Sequence, residues 1–348
     1  PPIFMGAALA VTVAALLLSL STGASALAPA QVIGALTAFD ADSYDHYVVV
    51  YQRLPRALIA IYVGSLMACA GAVLQGLTRN PLASPATLGV NAGATLFVVG
   101  GAYLFHFGPS AQGAAALMGG TLGFAGSLFL ARFTGLARDP RGLSLILSGA
   151  LVSMLLLGIA NAFLLADPAR RTDFLGWITG NINHVYAERL YDVWWIGALS
   201  LAALLFLARP LTLISLGIDK AASAGVPVFW VRRGAFAAVM LGASSAVAIC
   251  GPVGFVGLVV PHIVRPFVGS AMRWLLPASA LVGASLCLLA DVVARRAFAP
   301  FTLHTGVVMD LLGGVAFALI VHRVYLAPRR GRAAEGTHAA QHLPRAAR

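Results

Sequence analysis

A chain of 348 residues that is 59% hydrophobic and only 10% charged lacks the polar surface a soluble globule needs, which leaves a lipid bilayer as its solvent. The mean hydropathy of +0.88 agrees. A net charge of +11 does not indicate nucleic acid, because the arginines lie mostly between apolar runs and the single lysine is Lys220, so no basic groove forms.

A helix needs about 20 apolar residues to cross roughly 30 Å of hydrocarbon. In chain order the hydropathy predicts ten spans, over residues 3–20, 57–75, 86–105, 113–131, 142–166, 193–208, 234–250, 252–268, 275–291 and 305–322. The first is followed by Ala26-Leu27-Ala28, which resembles a signal-peptide cleavage site, but its length favours an uncleaved first helix. Residues 21–56 are expected to be loop and short helix. The eighth run is interrupted by Pro252, Gly254, Gly257 and Pro261, so the backbone groups freed there must find partners in surrounding protein. Residues 327–348 form a basic, aperiodic tail expected to be disordered.

With the N-terminus cytoplasmic, cytoplasmic segments collect 16 of the 23 basic residues and the opposite side takes seven of the 12 acids. The positive-inside rule supports that orientation, and an even number of spans returns the C-terminus to the cytoplasm. Residues 167–192 then lie outside, with Trp177, Tyr186, Tyr191 and Trp194 suited to the interfacial aromatic belt, while residues 209–233 form the main cytoplasmic excursion.

Small residues such as Gly64, Gly71, Gly119, Gly123 and Gly313 recur along the runs, as close helix packing in a membrane requires. Cys69, Cys250 and Cys287 fall inside apolar runs and read as buried thiols rather than a disulfide set. The sequence contains no phosphate loop, so ATP must be bound and hydrolysed by another chain, and it shows no clustered metal ligands. A faint echo relates Gly71-Ala72-Val73-Leu74-Gln75-Gly76 to Gly251-Pro252-Val253-Gly254-Phe255-Val256-Gly257, consistent with an inverted repeat.

Three blocks carry a specific resemblance: Arg53-Leu54-Pro55-Arg56 followed by Gly71 to Val90, then Gly254 to Arg265, then Leu281 to Ser285 continued by Leu289 to Arg295. In order and spacing they resemble the permease family of type II ABC importers for iron-siderophores, haem and vitamin B12. The resemblance implies an all-α polytopic membrane protein with ten transmembrane helices per subunit, residues 1–326 making one domain. It also implies a homodimer with two cytoplasmic ATPase subunits, which hold ATP and magnesium, and a periplasmic binding protein, all in the bacterial inner membrane. No cofactor and no catalytic residue is expected in this chain.

By the same resemblance, the excursion 209–233 couples to the ATPase through Asp219, Lys220, Ala221, Ala222, Ser223, Ala224, Gly225, Val226 and Pro227. Asp219 is suited to begin a short helix and Gly225 and Pro227 to end it. Arg53, Arg56 and Arg295 occupy the places from which relatives dock acidic residues of the binding protein. An alternative for Arg295 is an i,i+4 ion pair with Asp291. The chain departs from the family pattern at His304, at Gly313-Gly314-Val315 and at Asp310, an acid inside an apolar run. His304 and Asp310 are therefore pathway candidates, with Arg170 and Arg171 near the outer mouth. Iron-siderophore is the leading cargo, ahead of haem and vitamin B12. The competing reading is a proton-coupled secondary transporter that relays protons through Asp291, Asp310 and His304.

Overall fold

Within lipid every backbone N–H and C=O must be bonded inside the protein, so apolar runs of this length fold as helices. The computed structural model describes residues 1–23, 25–133, 143–166, 174–297 and 301–322. Its helices are α1 (Pro2–Ser21), α2 (Pro29–Thr37), α3 (Tyr44–Tyr47), α4 (Leu54–Thr78), α5 (Val90–Phe105), α6 (Pro109–Phe133) and α7 (Leu143–Ala166). They continue with α8 (Ala187–Phe206), α9 (Ala208–Leu216), α10 (Ile218–Ser223), α11 (Val228–Cys250), α12 (Val256–Val268), α13 (Met272–Arg296) and α14 (Thr305–Val321). Among the described residues, seven helices are long and apolar enough to cross a membrane, and α5, α12 and the greater part of α14 are shorter apolar helices.

Each predicted run coincides with a helix, and two differ for local reasons. The run 86–105 breaks into a 3-10 turn, Ala86–Leu88, and α5, because Gly89 adopts a left-handed φ of 88° between them. The run 252–268 becomes helical only at Val256. Pro252 and Gly254 precede it in an irregular stretch, and Phe255 caps the helix with a φ of 60°.

α4 is the central strut, packed by α1, α8, α11, α12 and α13. Its contacts are backbone-close where glycines face each other. A Cβ at Gly64 would strike the carbonyl of Gly283 on α13, and one at Gly71 would strike the carbonyl of Gly257 on α12. The two echoing segments of the sequence thus meet in space. Pro261 has no N–H and leaves the Gly257 carbonyl without its helical partner. Gln75 on α4 supplies the missing donor, its Nε2 lying 3.2 Å from the oxygens of both Gly257 and Leu258. Nearby, Asn91 Nδ2 donates to the Val253 carbonyl at 3.3 Å and the Asn181 N–H to the Cys250 carbonyl at 2.7 Å. The irregular stretch is therefore bonded by protein, as its sequence required. All three cysteines are buried and free.

Candidate functional site

Two ends of the bundle carry the residues singled out in the sequence. At one end, between α8 and α11, the chain makes the short helices α9 and α10. α10 stands out from the bundle: Asp219, Lys220, Ala222, Ser223, Ala224, Gly225 and Pro227 are exposed, and Ala221 alone is fully buried beneath it. Gly225, with a φ of 78°, ends the helix. The Gly225 N–H donates to Ala222 O at 2.9 Å and the Val226 N–H to Ala221 O at 3.0 Å, the paired bonds of a Schellman stop. The start differs from expectation. Gly217 is the capping residue and Asp219 lies in the first turn, where its charge favours the helix dipole without capping an N–H.

At the other end, Arg53, Arg56 and Arg295 converge, but they point inward. Asp291, only 1% exposed, lies between two guanidiniums, with Arg56 Nε at 2.8 Å and Arg295 Nε at 3.0 Å. Thr305 Oγ1 donates to the same carboxylate at 3.2 Å, tying α14 to the pair. Arg53 donates to the carbonyls of Leu20, Ser21 and Ser25 at 2.8, 3.0 and 2.7 Å. Arg295 reaches the carbonyls of Thr22 and Ser19. The last carbonyls of a helix lack intrahelical donors and sit at the negative end of its dipole, so two arginines there fix the end of α1.

The donors of Arg53 and Arg295 are turned toward Asp291 and the carbonyls around the end of α1, Arg56 meets Asp291 through Nε, and Arg53 is only 6% exposed. The i,i+4 pair of Asp291 with Arg295 was visible in the sequence. Arg56, 235 positions from Asp291, carried no such signal.

His304 is the capping residue of α14, half-buried, with Nε2 against Gly176. Asp310 is exposed on α14, its Oδ1 against Gly254 in the irregular stretch before α12, and it has no hydrogen-bond or ion-pair partner among the described residues. Arg170, Arg171 and the tail 327–348 lie outside the described residues. The proton relay is not supported by this arrangement. Asp291 is buried and bonded to Arg56, Arg295 and Thr305, and no hydrogen bond links it to His304 or Asp310 among the described residues.

Residues 11–323, nearly the whole chain, match the FecCD transport family. The chain belongs to the FecCD transport family. Among its curated relatives, the iron(3+)-hydroxamate import system permease protein FhuB of Bacillus subtilis is 34% identical over 309 residues, 88% of this chain and 79% of that protein. The hemin transport system permease protein HmuU of Yersinia pestis is 38% identical over 280 residues, 78% of this chain and 82% of that protein. A solved ABC transporter described as of metal-chelate type, in an inward-facing conformation, superposes with a TM-score of 0.77 at 27% identity, covering 93% of this chain and 99% of that one. This FecCD-family chain is accordingly a non-catalytic permease subunit of the membrane.

Proposed function

We propose that this permease imports an iron chelate as one half of a homodimer, each subunit crossing the bacterial inner membrane ten times with both termini in the cytoplasm. The seven long helices and the shorter α5, α12 and α14 supply the ten spans, and residues 1–326 act as one membrane domain. Two cytoplasmic ATPase subunits, holding ATP and magnesium, press on α10, and a periplasmic binding protein delivers cargo at the Arg53 end. The brace around Asp291 then underlies the docking face and keeps α1, α4, α13 and α14 in register while the binding protein pushes on it.

The observation that carries this reading is α10. A six-residue helix held by one buried alanine, exposed on its remaining length and stopped by a left-handed glycine, is built to fit a cleft in another protein. The relatives' named cargoes favour an iron-siderophore, then haem, with vitamin B12 behind them. Vesicles holding the permease with its cognate ATPase and binding protein test the proposal. Labelled ferric hydroxamate is expected to accumulate only with ATP inside, and to persist when the proton gradient is collapsed. Uptake driven by a proton gradient without ATP overturns it, and competition with haem and cobalamin ranks the cargo.

A further inference from the structure

A groove of about 870 Å³ runs between the α10-side halves of α6 and α11, and the proposed function makes no use of it. Three guanidiniums lie at its mouth: Arg132 in the last turn of α6, and Arg232 and Arg233 near the start of α11. None forms a hydrogen bond or ion pair with a described residue, and no acid occurs among the lining residues. Arg233 stands 4.2 Å over the ring of Phe229. Arg232 is the more telling, since its Nε is buried with no acceptor. A buried donor left unpaired costs about 1–3 kcal/mol, and more when it is charged, so an acceptor from outside the described residues is expected there.

Beyond the arginines the groove is apolar. Phe129, Phe236 and Met240 line it, and from Arg232 to Met240 the helix rises about 12 Å. Cations at the membrane surface above an apolar slot directed into the bilayer match a molecule with an anionic head and hydrocarbon tails. Guanidinium forks suit phosphate oxygens, and basic pockets between helices on the cytoplasmic side suit acidic lipid. The geometry points to a binding site for an anionic phospholipid of the inner leaflet. A soluble phosphate would gain nothing from the aromatic floor, and a carboxylate of a partner protein would leave the slot empty. α11 begins directly after Pro227, so a lipid seated here braces the root of the exposed coupling segment. The site does not depend on the identity of the cargo.

The test uses the permease purified with its native partner subunits, incubated with dioleoyl phosphatidylglycerol or dioleoyl phosphatidylcholine and weighed by native mass spectrometry. Phosphatidylglycerol is expected to be retained in preference. The double variant R232Q/R233Q is expected to lower its affinity roughly thirtyfold, at about one charge's worth per arginine. The charge-keeping R232K/R233K should retain most of it, and R273Q, which removes a cation elsewhere, should leave it unchanged. Equal retention of the two lipids, an equal loss in R273Q, or displacement by millimolar inorganic phosphate overturns the site. So does retention by the permease alone that vanishes when the partners are bound, because a protein then covers the groove. Should the glutamine variant fail to assemble, phosphatidylglycerol with a photoactivatable acyl chain must label the Phe129 and Met240 peptides of the unaltered complex above all others; uniform labelling refutes the site.

Discussion

Asp291 carries a charge that the fold has buried, and its worth depends on its neighbours. A buried carboxylate between two guanidiniums is costly to desolvate, so the trio adds little net stability over an apolar replacement, yet removing one member leaves the others unpaired. Asp291→Asn strands Arg56 and Arg295 and is expected to destabilise the permease by about 3–5 kcal/mol, read as a lowered denaturation midpoint in detergent. The triple change that also replaces both arginines by methionine should recover much of the loss. A single variant as stable as the unaltered protein would show that the three residues are not a brace. At this scale the sequence was partly legible. Residues four apart on a helix face each other, so Asp291 and Arg295 announced their pairing, and Pro261 announced a freed carbonyl at Gly257. That Gln75 answers that carbonyl, and that Arg53 and Arg295 both hold the end of α1, depends on which helices lie side by side. Hydropathy does not encode adjacency.

Helices themselves were legible almost throughout, because a bilayer allows few alternatives to an apolar helix. The exceptions follow from backbone chemistry. Gly89 and the stretch before Val256 interrupt apolar runs that hydropathy alone would leave continuous, and only the glycine and proline positions hinted at it. The short helix α10 was legible at its stop, where Gly225 is required for a left-handed turn, and less so at its start, where Gly217 took the capping position from Asp219. Ala221 is the fully buried residue of α10, so under the proposed coupling a push on the helix would reach the spans through it. Ala221→Glu forces an unpaired carboxylate beneath the helix, and ATP-driven uptake is expected to fall about tenfold or more while the ATPase still hydrolyses nucleotide. Ala221→Ser should be mild, since a hydroxyl is small enough to bond a nearby carbonyl. Full uptake by the glutamate variant would mean that force enters elsewhere.

A membrane bundle is complete only when its polar groups have somewhere to go, and Asp310 finds no such place among the described residues of a single subunit. Asp310 lies on an exposed face of α14 that also presents Leu311, Leu312, Val315 and Leu319, and it has no partner among the described residues. A lone carboxylate facing hydrocarbon is unfavourable by several kcal/mol, so this face must meet protein or water rather than lipid. In a homodimer both demands are met when α14 lies along the two-fold axis, its leucines against the second copy and Asp310 toward the aqueous route between them. Cysteine placed at Val315, in a background with the three buried native cysteines replaced by alanine, should therefore form a disulfide between subunits in the intact membrane under mild oxidation. Cysteine at Met154, exposed on α7, serves as the comparison for an apolar position whose place in the dimer is not constrained by a charge. If Val315→Cys stays monomeric and reacts readily with a lipid-soluble maleimide, α14 faces the acyl chains. The two copies then meet through another surface, and Asp310 must find its counter-charge by a route other than the dimer axis.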